Sequence, residues 1–296
     1  MVGAGVVGTA MGVILSARGY EVTGIYDLNT EPTEKLAERI KTRVCLTPQE
    51  VSRSAEILFI TTSDSSIADV VDVIARENGF YEGQLVVHMS GALSSKVLES
   101  AKAQGALTVS IHPMQSFANV DRAITNLPGS VFSIEGDRDG YSYACQLVNN
   151  LGGDYFFIDE KAKPLYHAGA CIVSNYLVTI VDVGLQLLES IGIQRDIALK
   201  AFLPLIKGTV RNIEKIGVPQ ALTGPISRGD LMTVLKHLEC LAEKTPQLME
   251  IYSWLGYFTA EVAGTKGTID RKAVDAFKHL FVQEMLSKSS IRAGGE

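Results

Sequence analysis

Cysteine is scarce in this 296-residue chain, and its charge balance shows no basic excess. The four cysteines are widely spaced and form no CxxC pair, which argues against disulfides and against a zinc site. A formal net charge of −6 gives no support for nucleic acid as a partner. We therefore expect a soluble cytoplasmic protein with reduced thiols, no resident metal and no nucleic-acid partner.

Clean hydrophobic runs of membrane-spanning length are also lacking. The most apolar run, residues 168–188, is interrupted by Asn175 and Asp182, and a membrane span of about 20 residues rarely carries both. The first residues lack the basic region and cleavage site of a signal peptide. We expect a buried helix at 168–188 and no membrane partner.

What the first half does contain is a regular alternation of strand and helix patterns. Apolar strand patterns occupy residues 21–27, 55–64, 84–90, 107–113, 130–136 and 154–159, and helical patterns lie between most of them. Buried strands separated by helices predict a parallel sheet covered on both faces. The predicted fold class is therefore α/β, with a doubly wound domain whose ligands bind beyond the carboxyl ends of the strands.

A glycine-rich loop opens the chain and leads into a predicted helix that extends to Arg18. The GxGxxG spacing allows a tight turn, close approach to a pyrophosphate and close helix packing. Only two residues precede the loop, so we expect that the start lies inside the first strand or that this strand survives as a stub. The expected dinucleotide-binding residues of the loop are Gly3, Gly5, Val6, Val7 and Gly8.

Asp27 follows Gly8 by nineteen residues, at the end of the next predicted strand. An acidic residue at this spacing is placed to bind a ribose 2′-hydroxyl. Its charge would repel a 2′-phosphate, and no arginine follows closely, so Asp27 favours NAD over NADP. The alternative is an aspartate that only caps a helix or turn.

Further polar candidates follow the later strands. Thr62 and Ser63 are expected near the nicotinamide end of the crevice, although Ser63 could equally be only the N-cap of the next helix. Ser90 and Gly91 end another strand, where glycine allows a ligand to approach closely, and they are further cofactor-binding candidates. His112 and Gln115 come at the end of the strand 107–113. They are substrate-binding candidates, and a purely structural role for His112 is equally compatible.

From about residue 160 the strand patterns stop and only helical patterns remain. This predicts a dinucleotide-binding domain at 1–158 and an all-α substrate and dimerisation domain at 159–296. A polar stripe runs along the first long predicted helix, and it lines either a helix–helix hydrogen-bond network or a site. Its members are His167, Cys171, Ser174, Asn175 and Asp182.

A turn-rich loop at 221–230 precedes a later helix. It carries Ser227 and Arg228, and an arginine at a helix start can hold a substrate carboxylate with two hydrogen bonds. The alternative is an ordinary capped loop with a solvated arginine.

Five segments together resemble a family of Rossmann-like NAD(P) oxidoreductases with a helical C-terminal domain of unknown function. The segments are 3–12 (GAGVVGTAMG), 90–95 (SGALSS), 111–118 (IHPMQSFA), 166–178 (YHAGACIVSNYLV) and 221–230 (ALTGPISRGD). The family is similar to pyrroline-5-carboxylate reductase and 6-phosphogluconate dehydrogenase, and some of its members are assigned as alternative ketopantoate reductases. The family label implies NADP, whereas Asp27 favours NAD.

The resemblance implies a reductase that transfers hydride between nicotinamide and a C=O or C=N carbon of a small carboxylate-bearing substrate. Related hydroxyacid dehydrogenases carry a catalytic lysine four residues before an asparagine; here that position is Cys171, before Asn175. His167 is therefore assigned as general acid, with Asn175 and Ser90 orienting the substrate and Arg228 binding its carboxylate. An imine reductase and a non-catalytic dinucleotide sensor are the alternatives. A homodimer through the helical domain is expected.

Overall fold

The structure is a computed structural model that describes residues 1–292, and it divides into two compact units. The first unit is Met1–Asn175, and the second begins at Tyr176. The first unit thus extends beyond the boundary predicted after residue 158, and it includes the first helix of the predicted helical domain.

The first unit is built on a five-stranded sheet in the order β1-β2-β3-β4-β5. The strands are β1 (Ile57–Ile60), β2 (Leu85–His88), β3 (Leu107–Pro113), β4 (Val131–Gly136) and β5 (Asp154–Phe157). Strands β1 to β3 are parallel, β4 is antiparallel to β3, and β5 is parallel to β4. The doubly wound prediction is confirmed, except that β4 reverses direction.

Three isolated bridges extend the sheet beyond β1. Val2 pairs with Ile60 and with Tyr26, and Ile25 pairs with Val44, all in parallel. In this chain, the first strand is represented by the bridging residue Val2. The strand predicted at 21–27 is reduced to two bridging residues, since its neighbour offers few backbone groups for a ladder.

Eight helices belong to the first unit, and most of them cover the sheet. They are α1 (Val6–Ala17), α2 (Thr30–Ile40), α3 (Pro48–Arg53), α4 (Asp64–Arg76), α5 (Glu99–Lys102), α6 (Val120–Asn126), α7 (Tyr141–Leu151) and α8 (Lys163–Val173). Apolar residues of α1 and α7 form a core against one face of the sheet, and those of α4 and α5 form a core against the other. Because β1, β2 and β3 are parallel neighbours, their carboxyl ends meet at one edge of the sheet.

The second unit is helical. Its helices are α9 (Asn175–Glu189, whose first residue belongs to the first unit), α10 (Arg195–Ile216), α11 (Leu231–Lys244), α12 (Met249–Lys266) and α13 (Arg271–Arg292). The core lies among α11, α12 and α13, where the rings of Phe277 and Phe281 are fully buried. Gly256 packs directly against the Phe281 ring.

The single long helix predicted from residue 163 is interrupted at Ser174, which separates α8 from α9. The prediction that 168–188 is buried is wrong: only 6% of the most apolar window of Glu160–Glu189 is buried. By its length and apolar composition alone, this segment could cross a membrane. Its Asp182 forms an ion pair with Arg195 and a hydrogen bond with Gln186. Because its apolar side chains are exposed within one chain, they are available to a partner surface.

Candidate active site

The glycine loop touches the end of β1 through backbone atoms. Gly3 has a φ of +105°, and a Cβ there would lie 2.6 Å from the Thr61 carbonyl carbon. A Cβ on Gly8 would collide with the Gly3 carbonyl oxygen. Both positions therefore require glycine.

Gly5 differs from these two because it faces open space. Apart from its own chain neighbours, no atom of residues 1–292 lies within 4 Å of the position its Cβ would take, and no side chain among them caps α1 at Gly5. The N–H groups of Val6 and Val7 have no intrahelical acceptor, and they add to the positive end of the helix dipole. The loop therefore fits the pyrophosphate of a dinucleotide.

Asp27 accepts a hydrogen bond from the same loop. Its Oδ2 accepts a hydrogen bond from the Ala4 N–H at 2.6 Å, and its Oδ1 accepts one from the Asn29 N–H at 2.9 Å. Asp27 thus has the role in a turn that was the alternative to ribose binding. A carboxylate oxygen can accept more than one hydrogen bond, so the ribose-binding role stays a prediction.

A cavity of about 460 Å³ runs along this edge of the sheet. Gly3, Gly5, Asp27, Thr62 and Ser63 all line it, together with apolar side chains such as Val70. The Thr62 hydroxyl is buried and has no hydrogen-bond partner among the described residues. The Ser63 hydroxyl lies 2.9 Å from that of Ser66 and does not cap α4. Five of the ten predicted cofactor residues therefore line this cavity, and its volume is within the range of small-molecule sites.

Ser90 stands at the next strand end, where its hydroxyl organises a turn. It donates to Asp64 Oδ2 at 2.7 Å and accepts from the Ala92 and Leu93 N–H groups. These bonds tie the turn after β2 to the start of α4. The hydroxyl therefore has a structural role, and its predicted contact with substrate stays a prediction.

Two imidazoles converge on Gly91. A Cβ on Gly91 would lie 2.6 Å from His167 Nδ1 and 2.7 Å from His112 Nε2. The two rings lie edge to face with their centroids 6.1 Å apart. His167 Nδ1 is buried and has no hydrogen-bond partner among the described residues. The structure thus joins two predicted site residues from distant parts of the chain.

Tyr166 orients the His112 ring. Its hydroxyl lies 2.7 Å from His112 Nδ1. Burial, with the nearby Lys163 and His167, lowers the pKa of His112 to about 4, and burial raises the pKa of Tyr166. A neutral imidazole whose Nδ1 accepts from Tyr166 carries its proton on Nε2. His112 can therefore present an N–H beside Gly91 at neutral pH.

Sequence reasoning missed Lys163 and Tyr166. Lys163 is fully buried, and its Nζ donates to the Ser90 carbonyl oxygen at 3.0 Å and to the Ser110 hydroxyl. It lies four residues before His167, so extending the polar stripe by one helical turn could have found it.

The rest of the polar stripe does not stay together. Cys171 is partly buried on α8, Ser174 lies at the helix break, and Asn175 is exposed at the start of α9. Of the stripe, only His167 contacts Gly91 and His112 in the hydrogen bonds and close contacts of the described chain. The predicted role of Asn175 stays a prediction.

Gln115 is exposed, and its side-chain oxygen accepts from the Ser116 N–H. In the second unit, Ser227 is buried and its hydroxyl lies 3.3 Å from that of Thr268. Arg228 is exposed, and its guanidinium has no hydrogen bond among the described residues. Its neighbour Asp230 caps α11 through the Thr233 N–H.

Two family models match the chain. Residues 1–113 match a Rossmann-like domain, and residues 130–259 match a domain of unknown function, DUF2520. The resemblance stated from the sequence motifs is confirmed. No curated protein matches the sequence.

Solved structures share the fold over nearly the whole chain. A protein from Thermotoga maritima is 26% identical with a TM-score of 0.71, covering 90% of this chain and 98% of that one. A candidate NADP oxidoreductase from Bacteroides fragilis is 23% identical with a TM-score of 0.70, covering 88% and 96%. A pyrroline-5-carboxylate reductase from Coxiella burnetii is 14% identical with a TM-score of 0.58, covering 94% and 96%.

Proposed function

From a chain that joins a Rossmann-like domain to a DUF2520 domain, we propose a nicotinamide-dinucleotide-dependent reductase. Its substrate is a small molecule with a carboxylate and a C=O or C=N group. When bound, the dinucleotide supplies the hydride. The protein supplies binding, orientation and a proton.

The convergence of His112 and His167 on Gly91 carries this proposal. The site residues lie at the carboxyl ends of the strands, from the short first strand to β3. The glycine loop, Thr62 and Ser90–Gly91 follow their strands, and His112 is the last residue but one of β3. In doubly wound sheets this edge is where ligands bind. Two ring nitrogens from distant parts of the chain pack against the backbone of Gly91 at this edge, so two groups that can carry a proton lie together where a ligand would bind.

The two imidazoles have different tasks in this proposal. His112 is held neutral and donates a hydrogen bond from Nε2 to the substrate oxygen or nitrogen, which polarises the double bond. His167, whose Nδ1 has no partner among the described residues, is the general acid that protonates the same atom as hydride arrives. Asn175 orients the substrate, and Arg228 binds the carboxylate.

Imine reduction is the second candidate. The likeness in fold to the pyrroline-5-carboxylate reductase of Coxiella burnetii supports it. The same two imidazoles would serve a C=N nitrogen in place of a carbonyl oxygen, so the substrate panel must contain both classes.

We propose NAD as the preferred cofactor, because the Asp27 carboxylate lines the cavity beside Gly5. The NADP named for the Bacteroides fragilis neighbour is the alternative. A homodimer through the helical unit is also proposed, since α9 and α10 each bury a single residue within one chain, Leu185 and Ala198.

Reductase activity is tested by following NADH and NADPH oxidation against a panel of 2-oxo acids and cyclic imines. We expect turnover with one class, and a loss of about 10² to 10⁴ in kcat for His167→Ala. His237→Ala is the matched control, because His237 is exposed in the second unit. Tight cofactor binding without turnover of any panel member would favour a non-catalytic sensor.

A further inference from the structure

One face of the sheet is polar where it meets α8. Along β2, β3 and β4, His88, Ser110 and Glu135 lie side by side in register. All three are buried. The residues that alternate with them, such as Val109 and Ile134, face the apolar core on the other side. A buried polar row of this kind needs partners.

Lys163 supplies one of them from the first turn of α8. Its ammonium donates to the Ser90 carbonyl oxygen, in the turn after β2, and to the Ser110 hydroxyl on β3. Ser110 lies two residues before His112, so the two side chains share one face of β3. The buried ammonium of Lys163 thus contacts both the turn after β2, which carries Gly91, and the strand β3, which carries His112.

We infer that Lys163 is a positioning residue of this site: its ammonium holds the Ser90–Gly91 turn against β3 and thereby sets the spacing between Gly91 and the two imidazoles. This inference rests on the proposed reductase function. Among the described residues, the hydrogen bonds of the Lys163 ammonium go to the Ser90 carbonyl oxygen and the Ser110 hydroxyl, and not to either imidazole. It therefore acts through His112 and the turn.

The charge has a second effect, on the imidazoles around it. Burial, together with the charge of Lys163, lowers the pKa of His88 to about 3 and that of His112 to about 4. Tyr166 and His167 face the cluster from α8. Burial lowers the pKa of Lys163 itself to about 8, and the charges of Glu135 and Asp64 oppose that shift. Lys163 therefore loses its proton near pH 8. The NMR signals of the His112 ring should shift at the same pH.

The first test is NMR titration of the wild-type protein carrying ¹³C-labelled lysine and histidine. We expect the Lys163 side chain to titrate near pH 8, and the His112 ring signals to show an inflection at the same pH. Absence of that inflection would overturn the inference. This measurement needs neither substrate nor a variant, so it stands even if Lys163 variants do not fold or the protein has no reductase activity.

The second test compares Lys163→Met with Lys161→Met, which removes an exposed lysine two residues away. In Lys163→Met the His112 inflection should vanish and the pKa of His112 should rise towards its ordinary value of 6.5. On a confirmed substrate, kcat should fall roughly 10- to 100-fold with the dissociation constant of the cofactor unchanged. Lys161→Met should behave as wild type. A Lys163→Met protein that folds and keeps the wild-type kcat and pH profile would contradict the inference.

Discussion

Tyr166 and His112 are joined by a 2.7 Å contact between the phenol oxygen and Nδ1. Fifty-four positions separate the two residues in the chain, so this contact attaches α8 to the carboxyl end of β3. It turns His112 Nε2 towards Gly91, where His167 Nδ1 also lies. The chemistry proposed above depends on the precision of that arrangement.

Gly91→Ala tests the arrangement directly. The new Cβ would lie 2.6 Å from His167 Nδ1 and 2.7 Å from His112 Nε2, so at least one ring must move. We expect kcat on a confirmed substrate to fall about 10²-fold. Gly169→Ala, on α8 with nothing within 4 Å of its Cβ position, is the control. Equal activity of the two variants would place the site elsewhere.

Asp27 should set the cofactor preference. We expect wild-type protein to bind NADH more tightly than NADPH, because a 2′-phosphate beside the carboxylate is repelled. Asp27→Asn should narrow the difference between the two affinities. Its amide has one acceptor oxygen where the carboxylate has two, so one of the two backbone hydrogen bonds of Asp27 is lost, at a cost of roughly 0.5–1.5 kcal/mol of stability. Fluorescence titration of the reduced cofactors measures the preference, with Asp196→Asn on exposed α10 as control. Tighter NADPH binding by wild type, unchanged in Asp27→Ala, is the contrary result.

Arg228→Ala should raise the Michaelis constant of a carboxylate substrate about 10- to 100-fold, because a charge-assisted pair is lost. Cofactor affinity should not change. Steady-state kinetics with a carboxylate substrate and its amide analogue would check the prediction, since only the carboxylate should be affected. Arg211→Ala, an exposed arginine on α10, should leave both constants as in wild type. An unchanged Michaelis constant in Arg228→Ala would mean that its guanidinium is only solvated.

Leu205→Glu should separate the proposed dimer. Leu205 is 65% exposed within one chain, so a glutamate there is harmless to a monomer but places a charge in an apolar interface. Light scattering at micromolar concentration should give the mass of two chains for wild type and of one chain for the variant. Leu46→Glu, 84% exposed in the first unit, should stay dimeric. A monomeric wild-type protein would refute the proposal.

Acid should destabilise the fold through His88 and His112. Their folded pKa values, about 3 and about 4, lie below the unfolded value near 6.5, so the unfolded chain binds the proton first. Stability from these groups is complete above about pH 6.5 and is lost as the pH falls towards 4, by about 1.4 kcal/mol per pH unit for each histidine. Urea unfolding between pH 7 and 4.5 measures the slope.

His88→Gln should reduce that slope, whereas His237→Gln, an exposed histidine of the second unit, should not. Carboxylates titrate in the same pH range in both variants, so the difference between the two slopes gives the contribution of His88. Equal slopes would show that His88 is not buried in its neutral form.

Local pattern was sufficient for much of this protein. GxGxxG spacing predicted the loop, because Gly3 and Gly8 are excluded from carrying side chains by backbone contacts that any such loop must make. Strand and helix periodicity predicted the α/β unit and the helical second half, since burial on one face imposes that periodicity on the sequence itself. His112 was found because it ends a strand of such a sheet.

Tertiary structure alone decided the rest, because those features depend on partners far away in the chain. The sequence around Lys163 does not predict that this lysine is buried. It is buried because Ser90 and Ser110, 73 and 53 positions away, supply hydrogen-bond acceptors. The antiparallel direction of β4 depends on which strand it meets. Asp27 serves the Ala4 N–H only once the glycine loop lies beside it. The exposure of residues 168–188 was mispredicted because an apolar helix has the same sequence pattern whether its own chain or another surface covers it.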